Sequence, residues 1–418
     1  MRFQHTLPRL LALLWFATLL SGCGSKSATP TPVTPTFPST PTVPAPTFTA
    51  APLPTTPLPT FTPYPSPTPY LGFAGWLDAN LPALMERHQV AGVAVALIHD
   101  GELAWSQGYG FADRAAGIPV TPDTIFQVAS ISKSVSAWGV MRLVETGKLV
   151  VDAPVGQYLT RWQLPPSEFD HGEVTIYRLL SHTAGLSLPS YAGFESGQLL
   201  PSLEESLSGT TGDEDGVRVI LEPGSEYSYS GGGYTVLQLV IEEVSGETFA
   251  DFMRREVLEP LQMEHSGFEW TPEMQALTAT AYDADGQPLP NYLFTAQAAA
   301  GLYATAPDLA RFVAAGLPGS GSEQAGQDVL LPETIELMYQ PAPATNGGYG
   351  LGYSSYTLLD GTRVVYHGGH NRGWEARFEA APEKGTGIVI LTNSDAGADL
   401  IMDVINVWEN CVVICGCF

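Results

Sequence analysis

Ser130 and Lys133 stand three residues apart in Phe126-Gln-Val-Ala-Ser-Ile-Ser-Lys133, where an extended apolar run gives way to a helical pattern. The chain has only four lysines, Lys26, Lys133, Lys148 and Lys384. Positions i and i+3 share a helix face. An amine held there among apolar or cationic groups loses its proton readily and can activate the hydroxyl. A serine amide at a helix start is also an unused donor, suited to an oxyanion. Taken alone, the same four residues read equally well as a polar first turn with a solvated lysine.

Two further stretches have compatible chemistry. In Pro223-Gly-Ser-Glu-Tyr-Ser-Tyr229-Ser-Gly231-Gly-Gly-Tyr234, a tyrosine precedes a glycine-rich turn that could hold its hydroxyl in a cleft. Near Lys133 its anionic form would be favoured, and it could take the serine proton and return it to a leaving group. In Tyr366-His367-Gly368-Gly369-His370-Asn371-Arg372-Gly373, glycines let backbone approach a ligand closely, and an edge strand could offer the His370 amide to an oxyanion. Both stretches also have plain structural readings, a core tyrosine before a turn and a glycine-rich hairpin with exposed histidines.

The elements that must position these residues are legible in outline. Trp76 to Arg87 has an amphipathic helical pattern. Val93 to Ile98 and Leu103 to Trp105 flank Asp100-Gly101 as a hairpin. Helical patterns recur over Val135–Glu145, Tyr234–Glu243 and Leu309–Val313. Arg363–Tyr366, Ala376–Glu379 and Gly387–Leu391 read as a meander. Strands at both ends with helices between them predict an α/β fold: an antiparallel sheet flanked by helices, built from both chain ends, with a mainly helical lobe inserted.

The N-terminal part has a different character. Arg2 and Arg9 precede an apolar run, Leu10 to Leu20, followed by Leu20-Ser-Gly-Cys23, which reads as an export signal over residues 1–22. The run is short for a spanning helix. Residues 23–70 form a tether: fifteen of the 35 prolines lie between Pro30 and Pro69. Such a stretch favours polyproline II and could reach on the order of 100–150 Å when extended. Residues 71–418 are the globular domain. The net charge of −25 argues against nucleic acid as a partner. Cys411, Cys415 and Cys417 lack a metal-ligand spacing and are read as buried helix cysteines or part of an irregular ending.

The three motifs together resemble the serine β-lactamase-like and penicillin-binding-protein-like superfamily, in the branch of class C β-lactamases, D,D-carboxypeptidases, D-aminopeptidases and family VIII esterases. Further segments carry the resemblance: Leu179-Leu-Ser-His-Thr-Ala-Gly-Leu186, Glu259-Pro-Leu-Gln-Met263, Ala300-Gly-Leu-Tyr-Ala-Thr-Ala-Pro-Asp-Leu309 and Tyr349-Gly-Leu-Gly-Tyr353. The likeness spans residues 74–408. It implies that Ser130 is the acylated nucleophile and that Lys133 and Tyr229 share general-base and general-acid duty. It also implies that the amides of Ser130 and His370 form the oxyanion hole, and that His367 and Gly369 belong to the substrate-binding strand. No metal or cofactor is implied, and His182 is read as structural. The signal resembles that of a bacterial lipoprotein, implying lipidation of Cys23. An exported, membrane-anchored enzyme acting on a small-molecule or peptide substrate is expected. The chain departs from the branch twice. Gly231 stands where Tyr-x-Asn has its asparagine, and His367 stands where many relatives carry the lysine of Lys-Thr-Gly. Both departures count against a true β-lactamase, and the first leaves open a catalytically impaired binding protein of the cell envelope.

Overall fold

The computed structural model describes residues 70–210, 216–319 and 324–416. The expected signal, Cys23 with its expected lipidation, nearly all of the expected tether, and Cys417 lie outside them.

The main sheet owes its position to one continuous apolar strand. In β1 (Gly92–His99) all residues but the last are buried. Because successive side chains point to opposite faces, Val93, Val95 and Leu97 enter one core while Ala94, Ala96 and Ile98 enter another. A strand buried on both faces has no polar alternation, which is why the sequence reads as an unbroken run. The turn to β2 (Glu102–Asp113) is Asp100-Gly101, with φ of 52° and 72°. This is the left-handed pair that a two-residue hairpin requires. β2 continues well past Trp105; its half-exposed residues, with Gln107, Gly108 and Gly110, show no period-2 signal.

The remaining strands of this sheet are β3 (Ile118–Pro119), β4 (Ser354–Thr357), β5 (Arg363–Asn371), β6 (Trp374–Ala381) and β7 (Thr386–Thr392). They form one antiparallel sheet in the order β4-β5-β6-β7-β1-β2-β3. The first long strand therefore pairs with the last, Val93 opposite Thr392 and His99 opposite Thr386. One face is covered by α1 (Tyr70–His88), through Phe73, Leu77 and Leu81, and by the C-terminal helix Gly397–Trp408, through Leu400, Val404 and Trp408. α1 begins six residues before Trp76, and the Phe73 ring stacks on Trp76 at 5.6 Å.

The other face carries the larger core and the inserted helical lobe. Within it lie α2 (Ile131–Glu145), α3 (Gly231–Ser245) and α4 (Ala306–Ala315). α2 and α3 are buried almost all round, so neither shows the polar stripe of a surface helix. The C-terminal helix runs on into a π-helical turn, Glu409–Ile414, in which Cys411 is half-buried, and Cys415 just after it is exposed. Neither is a buried helix cysteine, one of the two readings the apolar ending allowed; in this turn Val413 is the residue that is buried. Among the described residues, no helix is long and apolar enough to cross a membrane.

Candidate active site

Ser130 caps the N-terminus of α2, with φ −64° and ψ −11°. The residue before it, Ala129, is buried and has φ +49°. A left-handed alanine is costly, and such strain is held only where the surroundings over-determine it. Ser132 does this here: its hydroxyl donates to the Ala129 carbonyl at 2.5 Å and accepts from the Leu302 amide at 2.9 Å. The sharp turn presents Ser130, and among the described residues its amide has no acceptor. Ser134 and Ser136, on the same helix, are buried and spend their hydroxyls on backbone carbonyls.

Lys133 is 2 % exposed. Its Nζ lies 3.1 Å from Ser130 Oγ and 2.7 Å from the Ala299 carbonyl. Burial lowers its pKa from the usual lysine value to about 7. A neutral amine has two protons and one lone pair. One N–H can satisfy Ala299 while the lone pair faces Ser130 O–H, which is the geometry of a general base. The acylation rate is therefore expected to rise with pH and level off above about 7, as the amine loses its proton. A pre-steady-state ester acylation profile with no inflection between pH 6 and 8 would contradict this. The same shift gives a stability term of definite sign. Between about 7 and the ordinary lysine value the unfolded chain holds a proton that the folded chain lacks, so stability from this group grows with pH there.

Tyr229 also meets Ser130, but its protonation departs from the sequence expectation. Burial raises the phenol to about 12, opposed in part by its hydrogen bond with Ser130. Lys133 Nζ sits 4.9 Å from the centre of the Tyr229 ring. Desolvation is the largest effect on the phenol, so it decides, and Tyr229 is a neutral phenol. The arrangement can use it to donate a proton, with Lys133 as the base.

Tyr229 is held by His182. The two ring centres are 4.3 Å apart, and Tyr227, Tyr234 and Tyr349 surround the same imidazole at 4.9–6.0 Å. His182 Nδ1 accepts from the Ser230 amide at 3.1 Å, so the proton sits on Nε2, which is buried without a partner. The contact with Ser230 fixes the residue after Tyr229, in keeping with a structural role.

Glycines 231–233 open α3 and are not merely permissive. The Gly231 and Gly232 amides donate to the Pro189 and Leu188 carbonyls, so a loop lies directly on the helix end and satisfies its unpaired donors. Ser230 completes the cap, accepting from the Gly233 amide and donating to the Ser187 carbonyl.

β5 forms the opposite wall. Its pairing with β4 stops at Tyr366 opposite Ser354, so the backbone from His367 onward has a free edge on that side. Gly369 lies so close to the turn before α2 that a β-carbon would collide with the Val128 carbonyl oxygen and stand 3.1 Å from the Ser130 amide. Asn371 locks the strand there, donating to Gln127 Oε1 at 2.8 Å and to the Ala300 carbonyl. His367, on the same face, is buried. Its Nδ1–H donates to the Gly368 carbonyl at 2.6 Å, leaving Nε2 to accept from Tyr349 O–H at 3.2 Å. Burial and then Lys133 lower its pKa to about 3, so the ring is neutral and both nitrogens are engaged. The His370 side chain faces the other way, is 63 % exposed and pairs with Glu375.

Ser130, Lys133, Tyr229, His367 and Gly369 thus converge. Tyr349, the Ala299 carbonyl and Asn371 are the site residues that the sequence reading did not single out for a role. Tyr349 stood in a noted segment, but its contact with His367 crosses from a loop to a strand and leaves no local signal.

A hydroxyl, a buried amine of lowered pKa, a phenol and an unspent amide meeting at a helix start define an acyl-transfer site of the serine hydrolase type. Residues 77–409 match the family model described as Beta-lactamase, and the chain belongs to this β-lactamase-fold serine hydrolase family. It is 31 % identical to Esterase EstB of Burkholderia gladioli, over 69 % of this chain and 80 % of that one. It is 27 % identical to the putative penicillin-binding protein PbpX of Bacillus subtilis, over 64 % of this chain and 65 % of that one. Among solved structures, the octameric penicillin-binding protein homologue from Pyrococcus abyssi superposes with a TM-score of 0.65 at 28 % identity, covering 77 % of this chain and 74 % of that one.

Proposed function

We propose that the protein is a lipid-anchored, extracytoplasmic serine hydrolase that forms an acyl-enzyme on Ser130 and turns over esters or amides, including D-amino-acid amides. The observation that carries the reading is the buried Lys133 amine 3.1 Å from Ser130 Oγ, with its pKa lowered to about 7. Neutral Lys133 takes the Ser130 proton as Oγ attacks the acyl carbon. The oxyanion is received by the Ser130 amide and the His370 amide on the free edge of β5. The proton then passes, through Lys133 and Tyr229, to the leaving group. Water repeats the sequence to release the acid. The anchor is inferred from the signal and Cys23, with the proline-rich tether holding the domain off the membrane.

β-Lactams are expected to be poor substrates. Many relatives place a cationic lysine where this chain has His367, which is neutral and has both nitrogens occupied, so a lactam carboxylate has no cation there. In a panel of p-nitrophenyl butyrate, D-alanyl-p-nitroanilide and nitrocefin, the ester or the anilide is hydrolysed at least about 100-fold more efficiently than nitrocefin. Nitrocefin turnover equal to or above both would reverse the assignment. Protein that resists a fluorophosphonate and all three substrates would favour an envelope-binding role instead.

A further inference from the structure

Any side chain longer than glycine at position 231 meets a structure already in place. A β-carbon there would lie 3.1 Å from the Pro189 carbonyl and 3.3 Å from Cε2 of Tyr191. An asparagine side chain at 231 would therefore start against the ring of Tyr191. This ring is half-buried and packs with Tyr292, Phe294 and Ala300, immediately after the Ala299 carbonyl that holds Lys133. Tyr191 therefore bridges the two segments that flank the catalytic amine.

The hydroxyl protons of this wall can be followed. Thr235 donates to the Gly231 carbonyl at 3.1 Å, so in its 2.6 Å contact with Tyr191 the Thr235 oxygen accepts and the phenol donates. Ser230 donates to Ser187. Each of these three hydroxyls has its proton committed inside the protein. Ser230 and Thr235 are themselves buried, so a substrate carbonyl brought against this wall meets the half-buried Tyr191 ring, gains no hydrogen bond and loses its water, which is unfavourable for an amide and immaterial for a methylene chain.

We infer that Tyr191 is a specificity-determining residue: it replaces an amide-recognising side chain with an aromatic wall, and selects acyl groups that are apolar next to the scissile carbonyl over acyl groups bearing an amide there. This rests on the serine hydrolase reading and narrows its substrate class. It separates ester-like, alkyl or arylalkyl acyl donors from N-acylated amino-acid donors.

Two p-nitrophenyl esters of matched size test it: 5-phenylpentanoate, and N-phenylacetylglycinate, in which an amide replaces two methylenes. The wild-type enzyme is expected to favour the phenylpentanoate by about tenfold or more in kcat/KM. Gly231→Asn alone crowds the Pro189 carbonyl and the Tyr191 ring and slows labelling of Ser130 by a fluorophosphonate. Adding Tyr191→Ala restores labelling and shifts the substrate ratio about tenfold or more toward the amide ester. A wild-type ratio near one, or in favour of the amide ester, overturns the inference without needing either variant. So does a labelled, active double variant with an unchanged ratio. Absence of labelling in the wild type would instead remove the hydrolase reading on which the inference depends.

Discussion

Changing Ser130 to alanine is expected to lower ester turnover about 10⁴–10⁶-fold, the range for loss of a nucleophile that works as a unit with its base. No neighbouring hydroxyl can take over. Ser132 and Ser134 are fully buried, and their protons go to the Ala129 and Gly352 carbonyls. Lys133 keeps its Ala299 contact in the variant, so the amine stays in place and the fold survives. Intact-protein mass after fluorophosphonate treatment reads the result directly: one adduct on the wild type and none on the variant. An adduct of equal yield on Ser130→Ala would place the nucleophile elsewhere.

The second large effect is expected at Gly369, which has no functional side chain. Alanine there drives a β-carbon into the Val128 carbonyl, one residue ahead of the strained Ala129 and two ahead of Ser130. Backbone cannot rotate away as a side-chain tip can, so β5 must retreat from the start of α2. Losing one oxyanion donor costs about 10²–10³ in kcat. The overpacking adds about 1–3 kcal/mol of destabilisation, visible as a lowered melting temperature. Gly368→Ala is the internal comparison, because a β-carbon there meets nothing nearer than 3.9 Å and should cost far less. If the two variants lose activity equally, close approach of β5 is not what matters.

The chemistry at the start of α2 was legible because lysine is rare in this chain and falls one turn from a serine. β1 and its turn were legible because Asp-Gly between apolar runs admits few geometries. By residue pattern alone β5 was legible only to Tyr366, and its continuation through His367 and Gly369 came from the resemblance. His-Gly-Gly-His has no strand propensity, and those residues are extended because β6 pairs with them, Gly369 opposite Ala376. Tyr229 could be located from its motif, but its ionisation could not. A nearby amine favours the phenolate and burial opposes it; which one wins depends on desolvation, which only the folded chain fixes. Tyr191 and Tyr349 reach their partners from loops with no periodic pattern, and Gly231 alone says that a side chain is missing without saying what fills its place.

The pairing of the first long strand with the last has a consequence in time. Val93 finds Thr392, and the turn before Ser130 is seated against Gly369, only when nearly the whole chain is available. Contacts of such sequence separation form late and slowly. A chain still emerging from the ribosome can contain Ser130 and Lys133 on a formed helix and yet have no β5 beside them. The order of the sequence thereby works as a delay, keeping a reactive serine idle until its last strand arrives.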